Sequence, residues 1–356
     1  MNSMNFIKKI LSFFLYCYGN SILLCIEPKK CFMKKLSLLL FLFVALQSCT
    51  SSEQSEGGMR DKSIDFPKTI DVACKQVDLP AVIEMMGWCL DDSLLYFRST
   101  DTEFFFYRFR LSDFSLVDSC GRKGNGPDEW ISPNITTMQN QSLLVMDFGS
   151  KRGFYQMKGK EFAKLASYKY FDNVSDMQVY KYPLIGYTNF FPREVSWKLY
   201  DIEAGVTRDS IRYLDETNKG DALGQHEFFW NFMAGNKVVL AHLKRDQYTI
   251  LQLQGDTIDK VQIYQGDDLS DSPSGYYYGD VECTDKYIFL LSHKRQAEGK
   301  RDATEVEVYD YEGNPVCLLK LGIAAHHMLL DKPRQRLLFL SPADDYVYVA
   351  DLDFAV

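Results

Sequence analysis

The sequence lacks the short motifs by which most enzymes are identified. It has no Gly-x-Ser-x-Gly nucleophile elbow, no phosphate-binding P-loop and no recognisable Ser, His and Asp triad order. Only five histidines are present, and none has the spacing or the neighbouring Glu of a metalloprotease helix. The motifs therefore give a catalytic function no direct support.

Paired cysteines are also absent. None of the nine cysteines belongs to a Cys-x-x-Cys pair, so zinc binding and thioredoxin-like redox chemistry have no local support. We expect most of the five that follow residue 50 to be small, buried apolar residues, and we leave open one disulfide in an oxidising compartment. These five are Cys74, Cys89, Cys120, Cys283 and Cys317.

The chain has no apolar run near its start that is long enough to cross a bilayer. Residues 36–46 are apolar, but a spanning helix needs roughly 20 residues. Lys34 and Lys35 precede this run, and Ser48 and Cys49 follow it, which is the order of a secretory signal. Because residues 46–49 read Leu-Gln-Ser-Cys, as in a bacterial lipobox, we predict removal of residues 1–48 and acylation of Cys49, for instance with palmitate. The alternative is a transmembrane anchor.

These features predict three segments. Residues 1–48 are the leader and lipoprotein signal peptide, in which Met33 begins a complete signal and is the expected true start; a genuine longer leader is the alternative. Residues 49–63 are polar and small, as in a flexible tether, and residues 64–356 are the folded domain. We expect a lipid-anchored protein of the cell envelope, in the outer membrane, with its periplasmic or surface face left open.

The charge excludes one class of partner. The full chain has a net charge of −8, and residues 1–48 hold six Lys or Arg and one Glu, so the mature part carries −8 − 5 = −13. An acidic surface argues against binding nucleic acid and against binding anionic lipid through charge.

What the chain does contain is a repeat. Six short apolar segments recur at blade-sized intervals, and the third strands that follow several of them run into a glycine suited to a tight hairpin. Their central residues are Leu95, Leu144, Ile185, Val239, Phe289 and Leu338. No segment shows a sustained helical period. We predict an all-β fold, a six-bladed β-propeller with four-stranded blades, whose ring is closed by an N-terminal strand, residues 66–78, in the last blade. The alternative is an open pair of β-sandwich sheets.

A family likeness rests on residues 120–130, Cys-Gly-Arg-Lys-Gly-Asn-Gly-Pro-Asp-Glu-Trp. This segment resembles the Gly-rich GxGPxE(F/W) link of TolB-like six-bladed propeller lipoproteins of Gram-negative envelopes. Residues 278–288 and 308–316 resemble other recurring pieces of that group. The resemblance implies the fold and the envelope address over residues 64–356, and it implies no reaction.

Two groups of residues are candidates for binding an anion or a sugar. In the Gly-rich link, Arg122 and Lys123 supply charge and Trp130 is a stacking platform; the alternative is a purely structural link. After the second strands of two neighbouring blades, matching turns carry basic residues and are expected on one rim; the alternative is ordinary solvated turns. The residues of these turns are His242, Lys244, Arg245, His293, Lys294 and Arg295. Whether Arg122 and Lys123 share that rim is left open.

Tyr277 stands beside a first strand, where an aromatic side chain lines the channel for a sugar or peptide, or simply packs between blades. The sequence thus favours a non-enzymatic binding or scaffold lipoprotein whose partner is a carbohydrate, a peptide or an envelope protein. The alternative is a metal-dependent hydrolase or lyase with its site at the central channel, and converging carboxylates with a His there would favour it. The sequence selects neither a cofactor nor metal ligands.

Overall fold

Strands and the turns between them make up nearly all of the described chain. The computed structural model describes residues 65–79, 85–99, 103–138, 142–149, 151–168, 174–191, 194–214, 229–266, 277–294, 303–341 and 346–352. The predicted signal peptide, Cys49 and the tether lie outside these residues. Within them, no helix is long and apolar enough to cross a membrane.

Six sheets follow one another along the chain, and within each blade the consecutive strands from β3 to β25 pair antiparallel. Blade 1 holds β3 (Met85–Leu90), β4 (Leu94–Ser99), β5 (Phe104–Arg110) and β6 (Leu116–Arg122), and blade 2 holds β7 (Pro133–Met138), β8 (Ser142–Asp147), β9 (Gly153–Lys158) and β10 (Glu161–Ser167). Blade 3 holds β11 (Val174–Lys181), β12 (Leu184–Phe191), β13 (Glu194–Asp201) and β14 (Val206–Leu214), and blade 4 holds β15 (Phe229–Ala234), β16 (Lys237–His242), β17 (Gln247–Gln254) and β18 (Thr257–Gln265). Blade 5 holds β19 (Tyr278–Cys283), β20 (Tyr287–Ser292), β21 (Ala303–Asp310) and β22 (Pro315–Ala325), and blade 6 holds β23 (His327–Asp331), a 3-10 turn (Lys332–Arg334), β24 (Arg336–Ser341) and β25 (Tyr346–Asp351). Two further strands precede the blades, β1 (Thr69–Asp71) and β2 (Lys75–Val77).

The first strands of the blades form the centre of the ring. Each lies beside the first strand of the next blade, in the order β3, β7, β11, β15, β19 and β23, and β23 returns to β3. The predicted six-bladed propeller with four strands per blade is therefore confirmed, and the sandwich alternative is not what forms.

The ring is closed by the N-terminal segment, as predicted. Strand β2 pairs antiparallel with β25 and becomes the outer strand of blade 6, with Val77 opposite Val347. The sequence did not reveal that β1 comes first and pairs parallel with β22, with Thr69 opposite Leu318, as a fifth strand of blade 5. The segment thus fastens two blades together.

The core consists of six apolar clusters, and each fills the interface between two neighbouring blades. The last of these joins blade 6 to blade 1, where Leu338 packs with Leu95. Cys89, Cys120, Cys283 and Cys317 are buried, Cys74 is half-buried, and all five thiols are free. Their burial is the expected one, because a twisted sheet with alternating side chains presents an apolar face to each neighbour.

The antiparallel order gives the propeller two unlike faces. We call link face the end at which the connections between blades and the connections between second and third strands emerge. The opposite end, which we call the turn face, carries the other connections, and those between β3 and β25 are two to five residues long, for example 182–183 and 311–314. The strand ends on either side of residues 215–228 and of residues 293–302 lie at the link face. Arg122, Lys244 and Lys294 consequently share the link face. The Gly-rich link and the two basic turns therefore lie on the same rim.

Deleting residues 65–78 should abolish cooperative unfolding or cause aggregation, because it leaves the outer edges of β22 and β25 unpaired. Thermal melting followed by circular dichroism measures this. Deletion of residues 50–60 is the control and should leave the melting temperature unchanged. If the chain without 65–78 melts as the full chain does, β1 and β2 do not close the ring.

Candidate functional site

Polar and aromatic side chains meet at the link-face mouth of the central channel, where the first strands begin. Trp230 near the start of β15 and His327 at the start of β23 are in edge-to-face contact, with ring centroids 5.2 Å apart and an interplanar angle of 83°. Their blades, 4 and 6, are not neighbours. The contact therefore crosses the channel rather than joining adjacent blades.

Asp280 of blade 5 holds His327 in place. Its Oδ2 accepts a hydrogen bond from the backbone N–H of Met328 at 2.9 Å and lies 3.3 Å from His327 Nδ1. Its Oδ1 accepts the backbone N–H of Val281 at 2.8 Å. A carboxylate at Nδ1 fixes the orientation of the imidazole and favours its protonated form.

Asp176 plays the corresponding part between blades 3 and 4. Its carboxylate accepts the backbone N–H of Asn231, and the Asn231 side-chain amide donates to the Asp176 backbone oxygen. Asp176 is an extra residue in β11 with φ of 46°, at a point where the pairing with β12 shifts. Such a bulge redirects a side chain from its regular position, and left-handed backbone is tolerated best by Gly, Asn and Asp.

The surroundings of the site shift the pKa values of three of its groups. Burial raises the pKa of Asp176 to about 7, against the opposing effect of the Asn231 N–H. Burial also raises the pKa of Glu282, which lies two residues beyond Asp280. Burial opposes the charge of His327, but the hydrogen bond and the charge of Asp280 outweigh it and raise the His327 pKa. Acid–base groups matched to the working pH are a feature of functional sites.

A common register explains why these residues converge. In blades 4, 5 and 6, one first-strand residue pairs with the residue two positions after the apolar centre of the second strand. These first-strand residues are Trp230, Asp280 and His327. Equivalent positions in a propeller lie at equal depth, so the three side chains come to one level of the channel.

The TolB-like 6-blade propeller-like family matches residues 86–327 of the sequence. The chain belongs to this family. Members of the TolB-like type are commonly binding or scaffold proteins and are typically found in the periplasm or envelope. The matched region ends at His327, so it covers the channel side chains described above.

Solved structures resemble the chain in fold. Hydrazine synthase from Kuenenia stuttgartiensis aligns with a TM-score of 0.50 and 12% identity, over 84% of this chain and 99% of that one. A putative exported protein from Bacteroides fragilis gives 0.46 and 12%, over 84% and 94%. The Pan2 WD40 domain from Neurospora crassa gives 0.46 and 11%, over 83% and 99%. No curated protein matches the sequence.

In this TolB-like propeller, the Gly-rich link is packed rather than open. Trp130 is 1% exposed, lies in contact with Tyr155 and Phe162, and is capped by the Lys151 ammonium 4.0 Å from its ring centroid. Arg122 forms an exposed ion pair with Glu103 at 3.0 Å. Lys123 Nζ lies 5.0 Å from the centre of the Phe105 ring.

These contacts match the structural alternative for the link. The Trp130 ring would have to leave its cluster before it could stack on a ligand, because its neighbours and the Lys151 ammonium already cover it.

The two basic turns also differ from open, solvated turns. His242 is fully buried beside Tyr213, at 4.8 Å between ring centroids, and His293 is 4% exposed. Tyr277 is 5% exposed and packs between blades 4 and 5. Lys244 and Arg245 are half-buried on the link face. Arg295 lies outside the described residues.

Lys294 is held in a buried ionic network. Its ammonium lies 2.7 Å from Asp246 Oδ1 and 2.9 Å from Glu307 Oε2, and it is 15% exposed. Tyr278 OH donates to the same Asp246 oxygen at 2.9 Å, and Tyr309 OH donates to Glu307 at 2.8 Å. The charge of Lys294 is therefore neutralised within the protein by two carboxylates of blades 4 and 5.

Among the described residues, no three His, Cys, Asp or Glu side chains lie close enough together to hold a metal ion. What the mouth offers instead is an oriented imidazole, a carboxyl group with a raised pKa and an indole. These groups can donate and accept hydrogen bonds, transfer a proton, and pack against a ring or a cation.

Replacing Lys294 with Met should lower the free energy of unfolding by about 3–5 kcal/mol, because the buried Glu307 carboxylate loses its partner. Lys160→Met removes an ion pair with Asp118 whose lysine is 58% exposed, and should cost less than about 1 kcal/mol. Urea unfolding measures both. Equal losses would show that Lys294 does not hold the network together.

The stability that Asp176 and His327 contribute should fall as the pH rises through the neutral range. The raised pKa of Asp176 means that the folded state disfavours its ionisation, so stability is lost from about pH 4 to about 7. The raised pKa of His327 changes stability in the same direction. The folded state favours protonated His327, and this contribution to stability is lost as the pH rises above the folded-state pKa. Asp176→Asn should flatten the profile below pH 7.

The control for this profile is Asp113→Asn on the turn face, since hydrogen bonds to Ser115 lower the pKa of Asp113 and its titration lies below this window. Urea midpoints across the pH series give the comparison. A steep profile that persists in Asp176→Asn would contradict the assignment.

Proposed function

We propose that this TolB-like propeller is a lipid-anchored envelope protein that binds its ligand, without a reaction, at the link-face mouth of the central channel. The observation that carries the proposal is the Trp230–His327 contact across the channel, with Asp280 holding His327. Four blades contribute to this one place, whereas Trp130, His242, His293 and Tyr277 are buried, and Arg122 and Lys294 are held in ion pairs.

In this proposal the lipid anchor is Cys49, which is acylated after residues 1–48 are removed. Intact mass of protein extracted from envelopes should show a chain that begins at Cys49 and carries acyl groups, and Cys49→Ser should release the protein from the membrane fraction. A mature chain that begins earlier, or one without acyl mass, would remove the anchor from the proposal.

The chemistry of the mouth favours particular ligands. An indole that is partly exposed stacks on a sugar or contacts a cationic side chain, and Asp280 and Asp176 favour positive charge and hydrogen-bond donors. A carbohydrate, a peptide or a segment of an envelope protein fits this description, and nucleic acid does not, because the mature chain carries −13 by the arithmetic above.

Binding should report on Trp230. Short peptides and oligosaccharides of the envelope, titrated into residues 50–356, should change a tryptophan fluorescence signal that Trp230→Phe removes. His327→Ala should raise the dissociation constant of the same probe at least 10-fold. The double variant Lys244→Ala, Arg245→Ala should change that constant less than 2-fold. If the basic-turn variants lose binding and the channel variants keep it, the site lies on the rim and the proposal fails.

A second candidate function rests on the pairing of His327 with Asp280. An imidazole oriented by a carboxylate, beside a second carboxyl group whose pKa is near 7, can serve as a general acid and base, which favours a hydrolase or lyase in the channel. Turnover of any probe that binds at the mouth, abolished by both His327→Gln and Asp280→Asn, would replace the binding function by this one. Loss of that turnover on chelation would add a metal.

A further inference from the structure

We propose that the turn face of the propeller lies against the bilayer and that the link face, with the channel mouth, points away from it. This inference rests on the lipid anchor of the proposed function and adds an orientation to it. Two independent features carry it: where the chain enters the folded domain, and where the exposed apolar side chains lie.

The chain enters the domain at the turn face of blade 5. Strand β1 runs parallel to β22, and β22 begins directly after the turn-face connection 311–314. The backbone oxygen of Lys68 accepts the N–H of Leu318 at 2.9 Å, near the start of β22. Phe66 lies 5.5 Å from Tyr309 between ring centroids, next to the same connection. The end of the tether is therefore fixed at the turn face.

The span of the predicted tether is comparable to the height of the propeller. A flexible polar chain of the length of the predicted tether, residues 49–63, has a root-mean-square span of about 20 Å. Strands of six to eight residues give the propeller a height of about 20–26 Å. Placing the link face on the bilayer would hold the tether at or beyond its root-mean-square span along the outer side of blade 5, which reduces its conformational entropy. Placing the turn face there leaves the tether relaxed.

Exposed apolar side chains favour the same orientation. Among the described residues, the exposed large apolar side chains are Leu116, Val117, Ile131, Tyr182 and Val206. Four of the five lie at the turn-face ends of strands or in turn-face connections, and only Ile131 belongs to a link. The transfer of apolar and tyrosine side chains into the interfacial region of a bilayer is favourable in free energy. The turn face thus offers the bilayer several small contacts around its rim.

The test uses two matched positions on opposite faces. Val206 and Ile131 are branched apolar residues with exposures of 44% and 45%. Val206→Cys and Ile131→Cys, each carrying the same fluorophore, are reconstituted as acylated protein into phosphatidylcholine vesicles with a quencher on the lipid headgroup. Quenching at position 206 should exceed that at 131 at least 3-fold. Glu312→Cys on the turn face and Asp128→Cys in the link give a second, charged pair with the same expected order.

The controls separate the orientation from the anchor. Intact mass confirms acylation in each sample, so a sample without acyl mass reports on the anchor and is distinct from an acylated protein that shows no preference. The unsubstituted chain measures labelling of native thiols, and thermal melting confirms that each variant is folded. Equal quenching on the two faces, or stronger quenching at 131, overturns the proposal. The proposal is also overturned if shielding of the fluorophore at position 206 depends on protein concentration and not on the quencher. A second copy of the chain would then cover the turn face.

Discussion

Apolar packing between neighbouring blades is the interaction on which the other features depend. No blade can bury both of its faces alone, and each gains a partner on either side only when the ring is complete. The interface between blade 6 and blade 1 therefore matters as much as any other, although its residues are far apart in sequence, as Leu338 and Leu95 are. Strands β1 and β2 protect this arrangement because they cover the outer edges of the two last blades.

The closed ring also makes the polar centre possible. Trp230 and His327 come from blades that share no interface, so their contact depends on every blade between them keeping its position. Asp176 and Asp280 then link first strands of adjacent blades through backbone N–H groups, which places ionisable groups where burial changes their pKa values. In the same way, the buried Lys294 is tolerated because two carboxylates from different blades meet it.

The fold could be predicted from the sequence because its signal is local. Each second strand is a short apolar run, and the spacing of these runs, with the unpaired segment before the first blade, predicted six blades and the closing strand. The parallel pairing of β1 could not be predicted, since three residues carry no pattern of their own. The site was harder for a related reason: Asp280 and Met328, or Asp176 and Asn231, meet through the ring rather than along the chain.

The sequence did contain a weak signal for the site. His327 and Asp280 are polar residues at the start of or within first strands, at the register position two residues past the centre of the paired strand. By contrast, Trp130 was singled out in the Gly-rich link and His242 at the end of a second strand, and the structure buries both.

Native-state hydrogen exchange tests most directly whether the ring is one closed unit that holds the channel residues in place. Amides in the second strands of blades 1, 3 and 6, namely β4, β12 and β24, should exchange with the same opening free energy, equal to that of global unfolding. If β24 and β25 instead open at much lower free energy than β12, blade 6 detaches by itself, and the link-face mouth is not held by a closed ring.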